Sequence, residues 1–279
     1  MIELALKNYK INKWASLKSI SGEDLIAIEE PLEVVLIHNS GINIVETTLV
    51  LTMRSPGNDE ELSVGFLFNE GVIRSINDIE NIRYCVKTEE SKKNKIRVTL
   101  KETIKVDLEK LKRGFTSTSS CGVCGKQMLE QIDYNFSKNN FFNKINVTTL
   151  INLPGLLTSG QLLFKHTGGI HACALVTSGG SLINLKEDIG RHNALDKIIG
   201  SQLIKGTSFK NTILVLSGRI GYEMIQKAAI ARIPIVVAIG APTSLAIDIA
   251  KKAGICLIGF AKKNSLNCYS YPEYVDFEK

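Results

Sequence analysis

The chain lacks the features that mark a membrane or secreted protein. None of its 279 residues falls in an unbroken apolar run of the roughly 18 to 20 residues that a membrane span needs. The amino-terminal segment, MIELALKNYKINKW, also lacks the continuous apolar stretch of a secretory signal. We therefore expect no membrane association and a cytoplasmic location.

Cysteine is sparse and, with one exception, widely spaced. Of the six cysteines, only Cys121 and Cys124 lie close together, which does not match the dense spacing of a small disulfide-stabilised scaffold. Most of the cysteines are therefore expected to be free thiols.

Motifs for nucleic acids and common nucleotides are also missing. The net charge is +6, but much of the excess lysine lies in polar runs such as 92–95, and neither an RNA-binding aromatic motif nor a dense basic helix is present. A phosphate P-loop and a GxGxxG fingerprint are absent as well, so ATP hydrolysis and NAD chemistry lack support. We expect no nucleic-acid partner, whereas an anionic small ligand is compatible with the charge.

The amino-terminal part is expected to be a small mixed α+β domain. Leu25–Val45 is rich in Val and Ile and predicts strand, with Pro31 placed as in an edge or first strand. A short strand is expected at Leu49–Met53, followed by a turn that contains Arg54. The next segment, DEELSVGFLFNEG, predicts a helix with an acidic first turn. A hairpin with a lysine-rich loop around 89–95 is expected after it.

The carboxyl-terminal part alternates strands with helices. NTILVLSG, IPIVVAIG and ICLIGF read as strands, separated by two amphipathic helical segments, which predicts two consecutive βαβ units. The polar passage at 136–149 is interpreted as the domain join. The predicted division is therefore a smaller α+β domain at 1–145 and an α/β domain at 146–279.

Cys121 and Cys124 follow a Ser/Thr run and precede a helical pattern, KQMLEQIDYN. A helix amino terminus favours thiolates, which suits a sulfur nucleophile. Two alternatives stay open. The pair could hold zinc together with His171 and Cys173. In zinc deaminases, however, the histidine motif precedes the cysteine pair, whereas here it follows the pair, and the general-acid Glu of those enzymes is missing. The pair could instead be that of a dithiol oxidoreductase.

A ligand crevice is expected beyond the carboxyl ends of the predicted parallel strands. Glu187, Asp188, Arg191 and His192 cluster near a helix start, where they could form a structural salt-bridged corner or face a ligand. Three strand ends offer amides, hydroxyls and cations, namely Ser217-Gly218-Arg219, Gly240–Ser244, and Phe260 with Lys262 and Lys263. Taken singly, Thr243 or Ser244 is typical of a helix cap, and Pro242 of a helix start.

These motifs together resemble the formate dehydrogenase accessory sulfurtransferases, the FdhD family, over nearly the whole chain. The matching segments are EEPLEV at 29–34, TMRSPGNDEEL at 52–62, TSSCGVCGK at 118–126, GGIHACAL at 168–175, EDIGRHNALDKIIG at 187–200, SGRIGYEMIQKA at 217–228 and APTSLA at 241–246.

The resemblance implies a cytidine-deaminase-like fold for the carboxyl-terminal domain, without deaminase chemistry. It also implies a persulfide-carrying sulfurtransferase. A cysteine desulfurase would load sulfur onto Cys121, with Cys124 assisting transfer or release. The sulfur would then pass to the molybdenum cofactor, Mo-bis(molybdopterin guanine dinucleotide), before that cofactor enters formate dehydrogenase. A homodimer is implied too, and no structural metal is expected.

The same resemblance implies a cofactor-binding segment at Phe260–Ser265, that is, Phe260, Ala261, Lys262, Lys263, Asn264 and Ser265. The crevice residues expected beside it are Arg219, Thr243, Ser244 and His192. Two positions depart from the expected pattern, because Ser55 replaces a threonine and AKKNS replaces an arginine-containing segment. Lysine keeps the charge of arginine but loses its bidentate geometry.

Overall fold

The computed structural model describes residues 2–40, 43–85, 93–106 and 144–277. Cys121, Cys124 and the helix predicted after them lie outside the described residues. Within these ranges the mixed α/β architecture is confirmed. The strands are β1 (Leu6–Ala15), β2 (Lys18–Ala27), β3 (Glu30–Asn39), β4 (Ile44–Arg54), β5 (Ile79–Tyr84), β6 (Lys95–Leu100), β7 (Ile145–Asn146), β8 (His171–Thr177), β9 (Leu182–Asp188), β10 (Thr212–Leu216), β11 (Ile235–Ala238), β12 (Cys256–Lys262), β13 (Ser265–Ser270) and β14 (Val275–Asp276).

The helices are α1 (Asp59–Asn69), α2 (Val147–Gly160), α3 (Leu162–Thr167), α4 (Arg191–Ile204), α5 (Tyr222–Ile230) and α6 (Ser244–Ala253). Short 3-10 turns lie at Ile2–Ala5, Ile76–Asp78 and Pro272–Tyr274. None of the helices in the described ranges has the length and apolar character to cross a bilayer.

The amino-terminal sheet has the order β4-β3-β6-β5. Three details differ from expectation. A separate antiparallel hairpin, β1 and β2, precedes the sheet. The strand expected at Leu49–Met53 is part of a longer strand, β4, because β-branched residues continue back to Ile44, and Arg54 ends that strand instead of lying in a turn. Of the two positions expected for Pro31, an edge strand or a first strand, the second is confirmed: β3 is an inner strand but the first strand of this sheet along the chain, and Pro31 precedes the part that pairs with β6.

The larger sheet has the order β13-β12-β11-β10-β8-β9 and contains the predicted βαβ units. β10, β11 and β12 are parallel, while β8, β9 and β13 are antiparallel to their neighbours. α4, α5 and α6 cover one face with apolar side chains such as Leu195, Ile225 and Ile249. α2 covers the other face with Leu150, Leu153 and Leu157. The result is a three-layer sandwich.

The two predicted domains pack against each other through α1 and α4. Their backbones are so close that a methyl group on Gly65 would overlap the carbonyl oxygen of Asp196, and one on Gly200 would overlap that of Glu61. Glycine is the residue that permits this approach. α4 is therefore buried between α1 and the large sheet. The boundary at 145 and 146 stays a prediction, and β7, which spans it, pairs with β14 near the carboxyl end.

Replacing Gly200 with alanine should destabilise the fold, because the added methyl group has nowhere to go between two helix backbones. We expect a loss of about 3 kcal/mol in the free energy of unfolding, measured by urea denaturation. Gly155→Ala is the matched control, since Gly155 lies in α2 with no atom within 4 Å of an added methyl group. That variant should gain about 1 kcal/mol. Equal effects of the two substitutions would contradict the close packing of α1 and α4.

Candidate functional site

A buried ion pair joins the end of β9 to the middle of α4, and both of its side chains contact Ser55 in the segment after β4. Lys197 Nζ lies 2.6 Å from Asp188 Oδ2, and both side chains are almost completely buried. The same lysine donates to the Ser55 carbonyl at 3.0 Å. Asp188 also accepts hydrogen bonds from the backbone N–H groups of Ser55 and Gly190 and from the Asn193 side chain. Asp188 therefore has a structural role. This is one of the two roles that the sequence predicted for the charged cluster near the start of α4.

Ser55 belongs to the same junction, because its hydroxyl accepts a hydrogen bond from the Ile189 N–H at 3.1 Å. Asn193 donates to the Met53 carbonyl at 2.8 Å and so ties α4 to β4. The segment at 52–62 and the segment at 187–200 are therefore two sides of one contact. Serine supplies the acceptor oxygen at position 55, so the departure from threonine leaves this bond intact.

Glu187 and Arg54 also have structural partners. Glu187 accepts the backbone N–H groups of Leu163 and Phe164, each at 2.9 Å, at the start of α3. Arg54 is buried and makes two hydrogen bonds of 2.9 Å to Asp59, at the start of α1. These charges hold helix starts in place instead of facing a ligand.

Three glycines bring the carboxyl ends of the parallel strands unusually close. A Cβ on Gly240 would lie 2.5 Å from the Gly218 carbonyl oxygen and 2.7 Å from the Arg219 nitrogen. A Cβ on Gly259 would lie 2.7 Å from Pro242 Cδ. The strand ends therefore pack closely against one another, and the partly exposed Gly218 and Gly240 form a glycine floor at this edge of the sheet. Such a floor lets a ligand approach backbone groups closely.

His171 stands at one side of this floor, at the start of β8. If Gly218 had a Cβ atom, that atom would lie 3.3 Å from Nδ1 of the His171 ring. Burial, together with the positive charges of Arg191, His192 and Arg219, lowers the pKa of His171 below its ordinary value. Burial and the neighbouring arginines therefore disfavour a charged imidazole at the border of the floor.

The side chain of Arg191, the first residue of α4, is incompletely hydrogen-bonded within the part of the chain that the structure describes. Its Nε is buried and has no hydrogen-bond partner among the residues that the structure describes. A buried donor left without an acceptor costs free energy, more so when it is charged. Arg191 was expected in the cluster near the helix start but not among the cofactor-binding residues, and its sequence position alone does not reveal that the donor lacks a partner.

His192 lies at the same helix start but is engaged by a neighbour. Its Nε2 lies 2.7 Å from Glu223 Oε2, in the first turn of α5. That hydrogen bond lowers the pKa of Glu223. The pair links the starts of α4 and α5, and both side chains remain partly exposed.

The residues expected at the start of α6 occupy their predicted positions only in part. Thr243 is the N-cap, and its hydroxyl accepts a hydrogen bond from the Ala246 N–H at 3.3 Å. Ser244 is exposed in the first turn. Pro242 does not occupy the helix start that was expected, because it precedes the cap and instead forms an isolated bridge with Ile220. This bridge holds the loops after β10 and β11 together.

Phe260–Ser265 forms the end of the β12 and β13 hairpin. β12 does not end at Phe260 as expected but continues through an irregularity to Lys262, which pairs with Ser265. Phe260 has φ 51°, its side chain is 43% exposed, and its N–H donates to the Gly240 carbonyl. Ala261 is buried, whereas Lys262, Lys263 and Asn264 are exposed.

The burial of Cys173 argues against the alternative in which this cysteine helps to hold a zinc ion. Its side chain is buried in the core beneath α4, with Sγ 3.9 Å from the Arg191 carbonyl oxygen. Burial raises the pKa of Cys173, which disfavours the thiolate that zinc requires. In the parts of the chain that the structure describes, no three His, Cys, Asp or Glu side chains are placed to hold a metal ion.

Comparison with known proteins agrees with this arrangement. The sulfur carrier protein FdhD of Sulfolobus acidocaldarius is 43% identical over 98% of this chain and all of its own length. That of Mycolicibacterium paratuberculosis is 38% identical over 91% of this chain and 92% of its own. A crystal structure of a candidate formate dehydrogenase accessory protein from Desulfotalea psychrophila shares the fold, with a TM-score of 0.73 at 24% identity over 98% of this chain and all of that one. The FdhD/NarQ family model matches residues 28–276. The chain belongs to the FdhD/NarQ family.

Proposed function

We propose that this protein is a persulfide-carrying sulfurtransferase that serves formate dehydrogenase. The Cys121 thiolate attacks the terminal sulfur of a cysteine desulfurase persulfide. A new S–S bond forms on Cys121, and the desulfurase cysteine leaves as a thiolate. The protein then passes this sulfur to the molybdenum cofactor before the cofactor enters formate dehydrogenase. The names of the relatives support this proposal, as does the intact cysteine pair within the family-like motif.

The observation that carries the cofactor half of the proposal is the cationic floor at the carboxyl edge of the large sheet. Arg191 presents a buried donor that has no partner among the described residues, and Arg219 adds a second cation beside His171. The proposed client, Mo-bis(molybdopterin guanine dinucleotide), carries phosphate groups and is strongly anionic. A phosphate oxygen is the kind of acceptor that Arg191 lacks. The residues present therefore fit such a client.

The hairpin at Phe260–Ser265 fits the remainder of the client. The exposed Phe260 ring offers a flat apolar surface on which a guanine base can stack. Lys262 and Lys263 add positive charge beside it. They are point charges without the forked guanidinium of arginine, so they suit phosphate attraction better than specific base recognition.

Cys124 is proposed to assist release of the sulfur. The homodimer and the cytoplasmic location stay predictions.

Persulfide loading should occur at Cys121. After incubation with a cysteine desulfurase and cysteine, the tryptic peptide at 114–126 should carry one added sulfur atom that a reductant removes. Cys121→Ser should abolish this product because it removes the nucleophile, and peptide mass spectrometry measures it. Cys85→Ser is the matched control and should leave loading unchanged. An unmodified peptide with an active desulfurase would overturn the proposal.

Nucleotide binding should depend on Arg191. With guanosine diphosphate as the probe, Arg191→Gln should raise the dissociation constant about tenfold, because a charged hydrogen bond to phosphate is lost. Isothermal titration calorimetry measures this change. Lys210→Gln is the control, since Lys210 is an exposed lysine that precedes β10 at the opposite edge of the sheet. Equal affinities of the two variants would place the nucleotide elsewhere.

A further inference from the structure

Two cysteines of the large sheet lie close together, apart from the site described above. Cys256 begins β12, and Cys268 lies on β13, the edge strand beside it. Their Sγ atoms are 3.9 Å apart, and both thiols are free. In a disulfide the two sulfur atoms are about 2.0 Å apart. A shift of the two side chains over this short remaining distance would let the bond form.

The two thiols differ in their access to solvent. Cys256 is completely buried among the side chains that α2 covers, whereas Cys268 is only partly buried on the edge strand. The Cys268 Sγ also lies 3.4 Å from the Ser270 carbonyl oxygen. A small oxidant can therefore reach Cys268 first, and Cys256 stands directly behind it.

The geometry points to a redox modification site at Cys256 and Cys268 that hydrogen peroxide converts to a disulfide. The Cys268 thiolate attacks one peroxide oxygen, the O–O bond breaks, and the leaving hydroxide takes a proton to become water. The Cys256 thiol then loses its proton and attacks the Cys268 sulfenic acid. The S–S bond forms, the S–O bond breaks, and a second water leaves. Two thiols are oxidised and one peroxide is reduced.

The electrostatics of the pair agree with this order of attack. The hydrogen bond between the two sulfur atoms lowers the pKa of Cys268, while the same bond and burial raise the pKa of Cys256. The charge of Glu273 opposes thiolate formation at both sulfurs. Cys268 is thus the attacking thiol, and Cys256 is the thiol that resolves the sulfenic acid.

The disulfide would close a covalent loop around the hairpin that contains Phe260–Ser265. In the reduced protein the edge strand β13 is held to β12 by strand pairing that is interrupted at two places. A cross-link at the base of the hairpin restricts the opening of the edge strand. Oxidation would therefore make the hairpin more rigid without touching its exposed side chains.

The experiment treats the full chain with hydrogen peroxide, blocks the remaining thiols and digests it with trypsin without reduction. Cleavage after Lys252, Lys262 and Lys263 places the two thiols in separate peptides, 253–262 and 264–279. We expect these two peptides to become linked, with loss of two hydrogen atoms and reversal by dithiothreitol. The thermal midpoint of the oxidised protein should rise by about 5 °C.

Cysteine variants separate this site from the others. Cys85→Ser should leave the linked peptides unchanged, whereas in Cys256→Ser the Cys268 sulfenic acid should persist and be trapped by dimedone. A disulfide between Cys121 and Cys124 stays within the peptide at 114–126, so it cannot be mistaken for this product. Failure of persulfide loading would leave this inference untouched. Dimedone trapping at Cys268 in the unsubstituted chain, without linked peptides, would overturn it.

Discussion

The buried pair of Asp188 and Lys197 is the interaction on which the arrangement of the two halves depends. Both charges are removed from water, and every oxygen of Asp188 has a donor from the backbone or a side chain. Loss of one partner from such a pair costs about 3–5 kcal/mol, because a buried charge is left alone. The pair fixes Ser55 against the start of α4. It therefore sets the position of the helix that borders the glycine floor.

The position of α4 determines which charged residues can meet a ligand. On one side, Asp188, Asn193 and Lys197 bind the segment after β4, and Gly200 allows α1 to approach. On the other side, Arg191 and His192 face the starts of neighbouring elements and the glycine floor. One family-like motif thus combines a structural contact with a cationic surface. Different side chains of this motif make the structural contact and form the cationic surface.

Much of this arrangement could be predicted from the sequence. The alternation in the carboxyl-terminal part predicted the βαβ units, because each strand there is a short continuous apolar run and each helix between them has an apolar face. Other features depend on distant residues. The bond between Ser55 and Asp188 joins positions 133 residues apart, and only the folded chain shows that Arg191 Nε has no acceptor within the described ranges. The β1 and β2 hairpin was missed because its exposed faces mix polar and apolar residues without a buried side.

The central claim is that sulfur carried on Cys121 is required to mature formate dehydrogenase. The most direct measurement is formate dehydrogenase activity in cells that lack the native carrier and produce the Cys121→Ala protein at the level of the unsubstituted one. We expect formate dehydrogenase to be made but to have lost nearly all activity, because the nucleophile that receives the sulfur is gone. Full activity with Cys121→Ala would contradict it.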